Sequence, residues 1–135
     1  MRDFYDVPEW ITDYVALWQR RLRLQEWDIH VAVVSRIAEA PDSDGFCRQL
    51  PELNRADLQF QAGIENDEWG RIAIIHEMLH VAHARLDRVV EGVIYPALAC
   101  GLDDMAANAY RNTNESYTHR MAVALHAMTE EGPSQ

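Results

Sequence analysis

Ile74-Ile75-His76-Glu77-Met78-Leu79-His80-Val81-Ala82-His83 is the stretch whose reading decides the fold. It predicts a helix carrying the H-E-x-x-H pattern of a zinc site. At about 3.6 residues per turn, His76 and His80 are offset by about 40° and rise about 6 Å, so both imidazoles point at one spot. Glu77 lies about 100° round the helix from His76, within reach of a water on a metal without ligating it. Two imidazoles and one carboxylate suit zinc and leave a fourth position open to water. The flanking Ile74, Ile75, Met78, Leu79, Val81 and Ala82 are apolar, so the helix reads as buried on most sides. A carboxylate inside such a helix needs a reason.

The stretch looks like the active-site helix of the zincin metallopeptidases. The length and order of elements resemble the minimal single-domain zincins often encoded by phages and prophages. That resemblance implies an α+β, zincin-like fold over residues 1–135. Its expected parts are an N-terminal helix, a small mostly antiparallel sheet, the active-site helix and a closing C-terminal helix. It also implies a bound Zn2+ and a peptide or protein substrate.

The third zinc ligand lies outside the stretch. Asn114-Glu115-Ser116-Tyr117-Thr118 resembles the N-E-x-x-small segment that supplies it in gluzincins, which makes Glu115 the expected ligand. In that family an acidic residue often sits four places later and orients a ligating imidazole. His119 stands there instead, and is itself a rival ligand. Glu91, Asp87, Asp103 and Asp104 are further candidates. Read from residues alone, Asn112 and Glu115 have the spacing of a capping box. His83 shares the face of His76, but its Cα lies about 10 Å further along the axis, a strained reach for one ion. No glycine follows His80 to turn the chain as the metzincin pattern requires. Glu115, His119 and His126 form a stripe opposite the clearest apolar face, so the stripe is expected to line a cleft.

The rest of the chain frames this centre. Trp10, Ile11, Tyr14, Val15, Trp18 and Leu22 recur at helical spacing and predict a helix over 8–25. Pro8 suits its first turn and Arg20, Arg21 and Arg23 its carboxyl end. Trp27, Ile29, Val31 and Val33 alternate with Asp28, His30 and Ala32, the period of a strand, with His30 on the polar face. Residues 35–45 and 51–54 carry turn composition around a short second strand at 46–49. A third strand over 56–62 turns Leu58 and Phe60 inward. In zincins the strand before the active helix is often a sheet edge that binds the substrate backbone, and the resemblance gives this strand that role.

Asn66 or Asp67 is expected to cap the active helix, which should run over 67–86. Pro96 and Gly101 make 87–101 a lid or packing loop with one helical turn. Asp103 or Asp104 opens a further helix, and Asn112–Asn114 interrupts it. A last helix runs to about Met128, with Tyr117, Met121, Ala124, Leu125 and Met128 on one face, before a frayed tail over 130–135.

A net charge of −10 repels phosphate backbones, so no nucleic-acid partner is expected. No apolar run reaches the roughly 18 residues of a membrane helix, and Met1-Arg2-Asp3-Phe4 does not open a signal peptide. The expected compartment is the cytoplasm, a host cytoplasm or virion if the chain is phage-encoded. Cys47 and Cys100 make no disulfide framework and read as small buried residues.

The implied reaction is peptide-bond hydrolysis with Glu77 as general base and His76, His80 and Glu115 holding zinc. Tyr117, His119, His83 and Tyr110 are candidates to donate to the developing oxyanion. The alternative is a non-catalytic zinc-binding module of a phage particle or protein complex.

Overall fold

The computed structural model describes residues 4–98 and 102–130, without the side chains of Asp103 and Glu130. Of the expected tail over 130–135, Glu130 is helical, and 131–135, like Cys100 and Gly101, lie outside the described residues. The order is β1 (Phe4–Tyr5), α1 (Glu9–Arg21), β2 (Asp28–Val34), β3 (Gly45–Leu50), β4 (Arg55–Gln61), α2 (Glu68–Val89), α3 (Tyr95–Ala97) and α4 (Leu102–Glu130). The architecture is α+β.

α1 begins after Pro8 and buries Ile11, Val15 and Trp18. It is shorter than its apolar spacing suggests, because Arg23 takes a left-handed backbone (φ 57°). The Gln19 amide then ties down the following loop, donating to the carbonyls of Leu24 at 3.0 Å and Trp27 at 2.9 Å.

The sheet corrects one expectation. Its order is β1-β2-β4-β3, and it is mixed: β1–β2 and β3–β4 pair antiparallel, as expected of most of the sheet, while β2 and β4 run parallel. β3 lies on the far side of β4 and pairs with it antiparallel, through the helical turn Pro51–Leu53 and a left-handed Asn54. The chain thus leaves β2, runs out to the edge and returns through the middle. A parallel neighbour arises without a crossover helix of its own. The consequence reaches the site: residues 56–62 are not an edge, and β3 is. Ala56, Leu58 and Phe60 are buried, in register with Ile29, Val31 and Val33 of β2.

The core joins these residues to α1, Leu24, Trp27 and the apolar side chains of α2, with Ala122 of α4. α2 buries Ile72, Ile74, Ile75, Met78, Leu79, Val81 and Ala84, more than one face of a helix, as its composition predicts.

Beyond α2 the expected loop is helical. A π-helical turn, Val90–Ile94, continues α2 into α3, and Pro96 falls in the first turn of α3, where its missing N–H is tolerated. α4 is 29 residues long and runs unbroken through Asn112–Asn114. The Asn114 side chain binds other side chains, so its tendency to compete with the helix backbone is not expressed. The inward face of α4 also differs from expectation. Thr118, Ala122 and His126 are buried, with Met121 and Leu125 half-buried, whereas Tyr117, Ala124 and Met128 face out. Among the described residues no helix is long and apolar enough to cross a membrane.

Candidate metal centre

α2 starts at a cap that the sequence announces. Asp67 Oδ1 accepts from the Gly70 N–H at 2.8 Å, satisfying one of the helix's open donors. Gly70 is required because a Cβ there would collide with the Glu65 carbonyl oxygen. From this start the helix presents His76 and His80 to one cleft wall and Glu77 to the same cleft, one residue round.

The two imidazoles face each other through Nε2 atoms 3.2 Å apart. α4 crosses beside them and delivers Glu115, with Oε2 at 3.1 Å from His76 Nε2 and Oε1 at 2.7 Å from His80 Nε2. Atoms bound at about 2.0–2.1 Å around a tetrahedral zinc lie about 3.3 Å apart, so this triangle has nearly the size the ion needs. Among the described residues these three form the group of His, Cys, Asp or Glu side chains that could hold a metal ion. Hydrogen bonds from the two imidazoles hold the Glu115 carboxyl well below the usual carboxylate range. It is therefore ionised, the form a cation requires.

Glu77 is only 7% exposed. Burial pushes its carboxyl up to about 7, with the Glu115 charge adding to the rise and His76 opposing it. It fits in this position because residue 45 is glycine. A Cβ on Gly45 would stand 3.0 Å from Glu77 Cγ, 3.1 Å from its Oε2 and 3.1 Å from Phe60 Cδ1.

The cleft holds about 740 Å³. β3, the sheet edge, forms one wall through Gly45, Phe46, Cys47 and Gln49. α2 contributes Trp69, 68% exposed at the rim, and α4 contributes Arg111, Glu115 and His119. Burial, and after it the carboxylate of Glu77, pushes the Cys47 thiol up, so it is a protonated wall residue rather than a thiolate ligand.

Several sequence candidates sit elsewhere. His119 lines the cleft with its ring centroid 6.1 Å from that of His76, but is not part of the triangle. His83 lies against Tyr117, ring centroids 6.3 Å apart, away from the cleft. His126 is buried rather than in the expected cleft stripe. Glu91 reaches the cleft wall from the π-helical turn without joining the triangle. Asp104 is exposed and outside the triangle, and the Asp103 side chain is not described. His30 pairs with Asp28 at 2.8 Å on the surface, as its polar strand face implies.

Asp87 is not in the triangle either; it accepts hydrogen bonds. Tyr110 Oη donates to its Oδ1 at 2.6 Å, and Asn114 Nδ2 reaches the same oxygen at 3.4 Å. Gln49 Nε2 lies 3.4 Å from its Oδ2 and also donates to the His80 carbonyl oxygen at 2.6 Å. Sequence reasoning did not find this network, nor Gly45, Trp69 and Arg111 as cleft residues. Only an apolar Trp69 in an exposed first helical turn was a visible hint.

Comparison with protein-family models, with curated proteins and with solved structures found no match.

Proposed function

We propose that this chain is a zinc-dependent metallopeptidase of zincin type. The observation that carries the reading is the joining of His76, His80 and Glu115 into a metal-sized triangle with the buried carboxylate of Glu77 in the same cleft. A core position is a costly place for a carboxylate with no chemistry to perform.

His76, His80 and Glu115 would hold the ion. Zinc, when bound, supplies Lewis acidity toward a water and the substrate carbonyl. Glu77 takes the water's proton and passes it to the leaving amine. In the metal-free cleft burial raises its carboxyl pKa, and a bound Zn2+ beside it would oppose that rise and favour the ionised base. Of the candidate oxyanion donors, His119 is the one that lines the cleft; Tyr110, Tyr117 and His83 do not. The substrate is an extended polypeptide. β3 ends the sheet beside the triangle, so its outer main-chain groups are available for strand addition.

The test is zinc content together with cleavage of a peptide library. The native chain is expected to bind one zinc and cut peptides. Glu77→Gln should keep the zinc and lose cleavage by a factor of about 10² or more. Zinc retained with no cleavage by the native chain would leave a metal-holding module instead. Unchanged cleavage by Glu77→Gln would refute the general base.

A further inference from the structure

We propose that Asp87 is a positioning residue: it sets the register of α4 on α2 and so holds Glu115 against His76 and His80. This rests on the metal centre proposed above.

Glu115 needs such a device because apolar packing does not provide one. Between Leu102 and Tyr117, no described side chain of α4 is buried. Ala106, Ala107, Tyr110 and Asn114 are half-buried, and the first buried residue is Thr118. A helix held so lightly can slip, and one residue of slip is about 100° of rotation and about 1.5 Å of travel. Either displacement would take the carboxylate off the imidazoles. The described hydrogen bonds and ion pairs of the Glu115 carboxylate are those to His76 and His80.

Polar bonds converge where the side chains of α4 are at most half-buried. Tyr110 and Asn114, one helical turn apart on α4, both reach Asp87 Oδ1 on α2. Asn114 immediately precedes Glu115, and Thr118 Oγ1 donates to its Oδ1 at 3.3 Å, orienting the amide toward Asp87. On the other side, Gln49 bridges Asp87 Oδ2 and the His80 carbonyl oxygen, tying in the edge strand. The three walls of the cleft meet at one carboxylate. It lies outside the triangle that would hold the ion and positions Glu115 within it.

The experiment measures zinc affinity by competition with a chromophoric chelator for the native chain, Asp87→Ala, Tyr110→Phe, Glu115→Ala and the Asp87→Ala/Glu115→Ala double variant. Asp87→Ala is expected to weaken zinc binding about 10- to 100-fold and Tyr110→Phe by a smaller factor. The visible spectrum of the cobalt-substituted protein should change in Asp87→Ala. With Glu115 already removed, Asp87→Ala should weaken binding no further. Native affinity in both single variants would overturn the proposal. So would an equal loss from Asp87→Ala with and without Glu115, the mark of a general structural role. If Asp87→Ala does not fold, Tyr110→Phe, which keeps the ring, decides by the same measure. A native chain that binds no zinc overturns the metal centre and this inference together. Zinc binding unaffected by the variants overturns the role of Asp87 alone.

Discussion

Between about pH 4.5 and 7 the folded chain holds a proton on Glu77 that the unfolded chain has already released. Its raised carboxyl pKa makes stability fall as pH rises through that window and level off above it. Glu115 has the opposite sign: its lowered carboxyl pKa adds stability above about 4.5 that is lost as pH falls. In the metal-free chain Glu77→Gln should therefore raise stability at pH 8, on the order of 3 kcal/mol, with the gain shrinking toward pH 4.5. Urea unfolding at the two pH values measures it, and no gain at pH 8 would contradict the burial argument. Gly45→Ala should push the Glu77 carboxylate aside, since the new methyl meets it and Phe60 at about 3 Å. Cleavage should fall more than melting temperature does. The shared placement of His76, Glu77 and His80 at one cleft is readable from spacing because one helix carries all three. The role of Gly45 is not, because β3 and α2 meet only in three dimensions.

α2 is the element most clearly written in the sequence. Its apolar flanks demand burial, Asp67 caps it and Gly70 lets the chain enter. Asp67→Ala should cost about 1 kcal/mol of stability. Gly70→Ala should cost more, about 2 kcal/mol or above, because the obstacle is a backbone carbonyl that cannot turn aside. Equal denaturant midpoints for the two variants would show that the Glu65 carbonyl yields easily. α4 is legible only in part. Asn112–Asn114 reads locally as a break, and Tyr117 and Met128 read as an inward stripe. Neither holds, because Asp87 engages Asn114 and the small Thr118 and Ala122 allow close approach to the core. Local propensity is a weak guide where side-chain bonds to another element compete with it.

Across the whole molecule, the proposed ion would join α2 to α4 through Glu115, in a region where the side chains of α4 are at most half-buried. Chelation should therefore loosen the first half of α4 before the core. Hydrogen exchange over residues 102–117 is expected to quicken on zinc removal while amides of β4 and α2 stay protected. Zinc at about a thousand times its Kd should add about 4 kcal/mol. Uniform exchange across both helices would count against a local bridge. The amino-acid order by itself determined the α+β composition and the buried helix with His76, Glu77 and His80, since these rest on periodicity and spacing within single elements; Glu115 entered only through the resemblance of its segment to a gluzincin motif. The tertiary structure alone decided that β4 lies inside the sheet and β3 at its edge, that α4 is unbroken, and that Asp87 gathers the cleft walls. Those outcomes depend on which distant side chains meet, and strand order and helix register are chosen by contacts between elements rather than by the pattern within any one of them.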